Sequence, residues 1–310
     1  MHSRTGIKVG AAAATLAAAA FVQQRAWQAE RSNPPPGRFI EIDGVRLHYV
    51  ERGEGVPLVM LHGLGSMVQE LALSPAFALA AARYRVIAID RPGYGHSSRP
   101  RSRWWGPRTQ AALIHRMLAE LGIERPIVIG HSFGALVALA LALAHPAALR
   151  GVVLASGYYF PTGRIDVPLM APPAIPLLGD LLRHTVSPLL GRALWPGLLR
   201  LMFGPAAVPP YFARFPVWMA LRPSQLRASA EETAVLLPWV FAMQHRYAQL
   251  AAPPIIVAGA QDRYVDHARH SVRLAEQIPG SELVLSPRSG HMVHHTDPRR
   301  VLQAIEMAAQ

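Results

Sequence analysis

The sequence predicts an α/β protein: a mostly parallel, doubly wound sheet with helices on both faces and a helical cap inserted late in the chain. Three observations predict it. Short apolar runs of strand length, such as PLVML, YRVIAID and PPIIVAG, alternate with stretches of helical spacing. Strands of that kind, buried on both faces and separated by helices, pack in parallel. An antiparallel edge is signalled ahead of them, and the alternation then fails between 161 and 249.

The elements follow in order. Residues 1–37 are a separate piece: MHSRTGIK is basic, VGAAAATLAAAAFV is an uncharged run, and QQRAWQAERSNPPPGR reads as a polar, proline-interrupted linker. The pattern matches an export signal, with Ala18-Ala19-Ala20 as a small-residue cleavage site. The apolar run is shorter than the ~18–20 residues that span a bilayer. A cleaved signal and an uncleaved anchor both fit, placing the protein in the cell envelope with membrane association at its N-terminus. An alanine-rich cytoplasmic helix is the alternative.

From residue 38, RFIEIDG and VRLHYVERG alternate apolar with polar around Asp43-Gly44, a hairpin signal. Strand PLVMLHG, a helix over 67–82, strand YRVIAID and the turn-rich RPGYGHSSRP come next. A helix over 107–121, strand RPIVIGHS, a helix over 133–145 and strand RGVVLASGYYF carry the pattern to 160. It resumes at 250 with strand PPIIVAGA, a helix at 267–277, strand ELVLS and a helix at 297–309. The core is therefore expected in 38–160 and 250–310. The stretch 161–249, leucine-rich and cut by prolines, is too long for a simple loop and is expected to fold as a helical cap over the sheet.

Composition narrows the chemistry. With 51% hydrophobic and 16% charged residues the chain has ample material for a core. There is no cysteine, which excludes disulfides, thiolate metal sites and cysteine nucleophiles. The net charge of +12 is carried by arginine, with Lys8 the sole lysine. The arginines are dispersed, the densest run being the short RPRSRWWGPR, so no nucleic-acid partner is expected.

Between strand and helix, Gly130-His131-Ser132-Phe133-Gly134 fits G-x-S-x-G. A tight turn there holds the serine in a strained conformation with its hydroxyl projecting at the end of the sheet. The flanking glycines are needed where the two backbones crowd, and the helix N-terminus offers free N–H groups to a developing anion. The plain alternative is a packing serine. A serine needs a base, and the base an orienting acid. Both are expected past the carboxyl ends of later strands. Asp262 follows IIVAGA and His291 follows ELVLS, giving the order Ser132, Asp262, His291. Asp266 and Asp90 are rival acids. His294 and His295 are rival bases, otherwise a solvated approach to the last helix; the three histidines hint at metal, but no carboxylate at ligand spacing supports one. An oxyanion hole, worth about 10²–10³ in rate per donor, is expected from the N–H groups of Leu64 and Phe133. His62 and Gly63 support the Leu64 loop, His62 as a structural hydrogen-bonding residue.

HGLG after the third strand, DRPGYGHS after the fourth, GHSFG after the fifth, then GAQD and SGH together resemble the α/β-hydrolase superfamily over roughly 38–160 and 250–310. Within it, the loop DRPGYGHS and the helical insert are similar to the capped branch of epoxide hydrolases, haloalkane dehalogenases, carbon–carbon bond hydrolases and esterases. The resemblance implies triad roles for Ser132, Asp262 and His291, oxyanion roles for Leu64 and Phe133, and no cofactor or metal. One departure matters: the dehalogenases and epoxide hydrolases use an aspartate nucleophile, and this chain has serine. Attack on a carbonyl is therefore expected.

In the insert, Trp195, Trp218, Trp239, Met202, Met219 and Met243 either pack cap helices together or line an adaptable apolar lid. The expected substrate is a small apolar carboxylic ester. Carbon–carbon hydrolysis of a diketone-type compound, a cofactor-free haloperoxidase or perhydrolase activity, and a non-catalytic ligand-binding scaffold are the alternatives.

Overall fold

The computed structural model describes residues 2–163 and 167–310, with side chains from residue 10 onward; the basic side chains of 1–8 lie outside the described residues. It opens with helix α1 (His2–Ser32), then β1 (Arg38–Ile42), β2 (Val45–Arg52) and β3 (Pro57–Leu61). Helices α2 (Val68–Leu73) and α3 (Pro75–Ala81) lead to β4 (Arg85–Ile89), α4 (Pro107–Glu120), β5 (Ile127–His131), α5 (Phe133–Ala144) and β6 (Gly151–Ala155). The insert holds α6 (Val167–Met170), α7 (Leu178–His184), α8 (Val186–Phe203), α9 (Val217–Ala220) and α10 (Pro223–Gln244), with no strand among its described residues. The chain closes with β7 (Ile255–Gly259), α11 (Arg273–Gln277), β8 (Glu282–Ser286), α12 (Val293–Thr296) and α13 (Pro298–Ala308).

The eight strands form one sheet in the order β1-β2-β4-β3-β5-β6-β7-β8, antiparallel only at β1, β2 and β4. At the hairpin, Asp43 and Gly44 both have positive φ, as the two-residue turn matching strand twist requires. Period-2 alternation sorts the strand side chains onto two faces. Val59, Leu61, Ile87, Ile89 and Val128 pack with α4 and α5; Leu58, Met60, Val86, Ala88 and Ile129 pack with α3 and α13. Helix α5, apolar on every side, is buried from Phe133 to Ala142.

Two expectations are corrected. The helix expected over 67–82 breaks at Ser74. A residue before proline is driven to extended backbone, and Ser74 takes that conformation while its Oγ accepts from the Phe77 N–H as an N-cap. The linker expected after residue 22 is instead helical to Ser32, where the prolines stop it. Val22, Ala26 and Ala29, spaced along one helical face, are buried. Beside them, Glu30 pairs with Arg222 at 2.7 Å, and Trp218 of α9 meets Phe21 and Arg25. This half of α1 is part of the fold. No helix among the described residues is long and apolar enough to cross a membrane.

The sheet order positions the site. β3 and β5 are neighbours, with Leu61 opposite Gly130, so the loops after them leave the sheet side by side. β7 and β8 are likewise paired, Gly259 opposite Ser286, which brings the next two loops together. The approach at β5 is close enough that a Cβ on Gly134 would overlap the Leu61 carbonyl, and one on Gly130 would overlap the Gly134 carbonyl. Overpacking against backbone has no side chain to displace. Gly134→Ala is expected to lower stability by about 3 kcal/mol or more, read as a lowered urea midpoint with unchanged slope.

Candidate functional site

Ser132 is the only residue between β5 and α5. Its φ of 54° and ψ of −117° lie in a region that costs a non-glycine residue about 1–3 kcal/mol. The surroundings leave it no alternative. Its N–H donates to the Ala155 carbonyl at 2.9 Å, its carbonyl accepts from Ala135 at 3.0 Å, and Gly63 lies directly against its Cβ. As the first residue of α5, Phe133 has an N–H with no partner inside the helix.

The loop after β3 is held from behind by Arg91. The Arg91 guanidinium donates to the carbonyls of His62 (2.8 Å) and Gly63 (3.1 Å), and its backbone N–H donates to His62 Nε2 (3.0 Å). His62 Nδ1 then carries the proton, shared with the Gly63 carbonyl at 2.8 Å. In a trans peptide the C=O and the following N–H point opposite ways. Pulling the Gly63 carbonyl toward Arg91 therefore turns the Leu64 N–H away from it. Burial, with Arg91 beside it, pushes the His62 pKa down to about 4, so the ring is neutral.

Asp262 and His291 meet. His291 Nδ1 donates to Asp262 Oδ2 at 2.8 Å, both side chains being buried, and Asp262 Oδ1 accepts from the N–H groups of Tyr264 and Val265. His291 Nε2 is buried without a hydrogen-bond partner. The ring of His291 lies against that of His131, the residue before Ser132, at 4.8 Å. The rivals are engaged elsewhere. Asp266 is exposed and accepts from Ala268 and Arg269 at the start of the next helical turn. Asp90 is tied to His48, Val68 and His96.

His294 and His295 are not a solvated approach. Both are buried, and both Nε2 atoms donate to Glu70 Oε1, at 2.6 and 2.7 Å. Burial alone would raise the Glu70 pKa, but the charge on His294 and the two imidazole hydrogen bonds outweigh it and hold it well below the usual carboxylate range. Ser66 donates to Glu70 Oε2 at 2.8 Å, and the Tyr211 hydroxyl reaches His295 Nδ1. The carboxylate that sequence spacing did not supply is thus Glu70, 224 residues from His294. The three ligating atoms lie within 4.8 Å of one another and have the donor set of a divalent-metal site. In this arrangement each is already hydrogen-bonded to another. Beside them, burial first, and then the electrostatic influence of the neighbouring His294 and His291 rings, push His131 well below the usual histidine range.

A second buried cluster, absent from the sequence expectations, joins cap to core. Arg91 Nη1 reaches both oxygens of Glu232 in α10 at 2.8 and 3.0 Å, with both side chains fully buried. Tyr94 (2.8 Å), Gln110 (2.7 Å) and Arg99 (3.3 Å) satisfy the remaining sites on the carboxylate. The only sequence signal was Arg91 itself, in the turn-rich loop after β4. Of the cap side chains singled out, Trp195 stacks on Phe215, Trp218 meets α1, and Trp239 covers Gly106. Those three pack the cap. Met202 and Phe203, at the end of α8, instead touch the His291 loop: the Met202 carbonyl accepts from Met292, and Phe203 packs against His295.

The family model described as "alpha/beta hydrolase fold" matches residues 56–298. Among curated relatives, a 2-hydroxymuconate semialdehyde hydrolase of Pseudomonas putida is 27% identical over 90% of this chain and 95% of its own. Epoxide hydrolase A of Mycobacterium tuberculosis is 38% identical over 42% of this chain and 41% of its own. Among solved structures, a meta-cleavage product hydrolase (24% identity, TM-score 0.69) covers 88% of this chain and 98% of its own. A membrane phospholipase A (20% identity, TM-score 0.70) covers 98% of this chain and 97% of its own.

Two outcomes follow from the buried charges. Glu232→Ala leaves Arg91 charged and unpaired, and is expected to cost about 3–5 kcal/mol in chemical denaturation. For pH the sign is common to the site. His62, His131 and His295 are all held below their ordinary pKa, in each case chiefly by burial. The unfolded chain therefore binds protons near pH 6.5 that the fold does not. Stability present above that pH is lost on acidification, by about 1.4 kcal/mol per pH unit for each such histidine. Glu70, its folded pKa depressed, adds a further loss of the same sign at lower pH. Urea midpoints at pH 7.5 and 5.5 measure the first effect; an unchanged midpoint would contradict it.

Proposed function

The chain belongs to the α/β-hydrolase fold family, and from that premise we propose that it is a serine hydrolase of carboxylic esters acting through an acyl-enzyme. The observation that carries this reading is the strained Ser132 at the N-terminus of α5, next to His131, whose ring lies 4.8 Å from that of His291, the imidazole that Asp262 holds at Nδ1 and whose Nε2 has no hydrogen-bond partner. Ser132 Oγ attacks the ester carbonyl while His291 Nε2 takes its proton. Asp262 keeps the Nδ1–H tautomer and stabilises the imidazolium. The carbonyl oxygen becomes an anion against the N–H groups of Phe133 and Leu64, at the positive end of α5. Collapse breaks the carbon–oxygen bond, and His291 returns the proton to the leaving alcohol. Water, deprotonated by the same Nε2, then releases the acid and restores the serine.

Serine in place of aspartate favours carbonyl attack over the alkyl chemistry named for the epoxide hydrolase relative. The apolar preference rests on Met202, Phe203 and Met292, which crowd the His291 loop. A second reading, carbon–carbon hydrolysis, is supported by the 2-hydroxymuconate semialdehyde hydrolase, which matches along nearly its whole length. It uses the same residues.

Turnover of p-nitrophenyl esters of increasing acyl length tests the first reading, with the medium-length apolar esters expected to be fastest. Ser132→Ala is expected to lower kcat at least about 10³-fold, and Asp262→Asn by about 10⁴-fold. Equal rates in wild type and Ser132→Ala would remove the nucleophile. Fluorophosphonate labelling of wild type but not Ser132→Ala separates a hydrolase from a binding scaffold. Faster consumption of 2-hydroxymuconate semialdehyde than of any ester would reverse the ranking of the two reactions.

A further inference from the structure

The cap presents a surface built inside out. In α7, Leu178 and Leu181 face solvent, and Leu177 just before them is 85% exposed. On the same helix Arg183 is 4% exposed, its guanidinium donating to the Pro173 carbonyl and to Asp180. In α8 the exposed stripe is Val186, Leu190 and Leu194, one turn apart, where a helix packed on a water-soluble core carries polar residues. Eleven of the eighteen large hydrophobic side chains exposed among the described residues fall between 169 and 201. So concentrated a patch is not the scattered exposure of an ordinary surface.

Two further features say what covers it. The first is charge. The one carboxylate among the described residues of 167–204, Asp180, is paired with Arg101 and Arg183. Arg192 and Arg200 of α8 are exposed, and neither forms an ion pair among the described residues. The second is α1, which touches α7 and α8 as it leaves the cap. Over residues 10–21 it reads GAAAATLAAAAF, without a charge, and from Gly10 to Ala17 every side chain is exposed. A protein groove covers one face of a helix. A rod that is apolar on all sides calls for a medium that is apolar on all sides.

We propose that the α7–α8 face of the cap, together with residues 10–21 of α1, docks the protein on the surface of an anionic lipid bilayer. The leucines of α7 and α8 enter the boundary between headgroups and acyl chains, and Arg192 and Arg200 meet lipid phosphates. The contact is peripheral, since no helix among the described residues is long and apolar enough to span. It does not depend on the reaction catalysed.

The test is co-sedimentation of the full chain with phosphatidylcholine vesicles, with and without phosphatidylglycerol. Binding is expected with the anionic lipid and to weaken with salt. Leu190→Asp/Leu194→Asp removes two solvent-facing leucines and is expected to keep the wild-type circular dichroism and urea midpoint. It should lower vesicle affinity at least about tenfold. Arg192→Glu/Arg200→Glu should abolish the preference for phosphatidylglycerol. No binding to either vesicle would overturn the proposal, as would unchanged binding by the folded leucine variant. A dimer in solution that the leucine variant disperses, without vesicle binding, would assign the face to a second copy and overturn it equally.

Discussion

The buried pairing of Arg91 with Glu232 is the contact on which the rest of the site depends. Arg91 stands in the loop after β4, Glu232 in α10 of the cap, and the guanidinium that binds the carboxylate also holds the carbonyls of His62 and Gly63. One side chain thus fixes where the cap sits and which way the peptide before Leu64 points. Taking both charges out of water is costly, and apolar residues of the same volume would serve net stability as well. The pair supplies direction instead. Tyr94, Gln110 and Arg99 complete the carboxylate's hydrogen bonds, so that the geometry has no equivalent alternative.

The strain at Ser132 is maintained by the same logic of excluded alternatives. Relaxing its φ would move β5 and α5 apart, but Gly130, Gly134 and Gly63 bring three backbone segments into contact around it. The strain is small beside the packing that holds it, the fully buried α5 on one side and the paired strands β3 and β5 on the other. Behind this turn, neutral His131 separates the strained serine from the anionic Glu70 and its two imidazoles. The carboxylate's charge is answered by His294 and His295, away from the N–H groups of α5.

What could be read from the sequence was what is local. Alternation placed the strands, and two glycines around Ser132 marked the turn. Asp262 and His291 stood out because each lies a few residues past the end of a strand. The buried charge clusters were missed for one physical reason, polar partners distant in the chain. Glu232 lies 141 residues from Arg91 in a helix with no periodic signal of its own, and Glu70 lies 225 residues from His295. Without Glu70 in view, adjacent histidines before Asp297-Pro298 look like surface. The end of α1 was misread for a different reason. Its buried face is Val22, Ala26 and Ala29, side chains too small to stand out from the glutamines and arginines around them.

Helix α8 ties these threads together. Its last turn belongs to the site, the Met202 carbonyl accepting from Met292 beside His291 and Phe203 lying against His295. Its earlier turns put leucines outward, while the neighbouring α7 buries an arginine. A helix in water recovers roughly 25 cal/mol for each Å² of apolar surface it hides; turning α8 over would hide its leucines, and turning α7 over would free Arg183. That the sequence holds the unfavourable orientation, with hydrogen bonds to Pro173 and Asp180 securing the arginine inside, means that the outward face is matched to something other than water. The same helix that holds the His291 loop therefore carries the proposed lipid-facing surface.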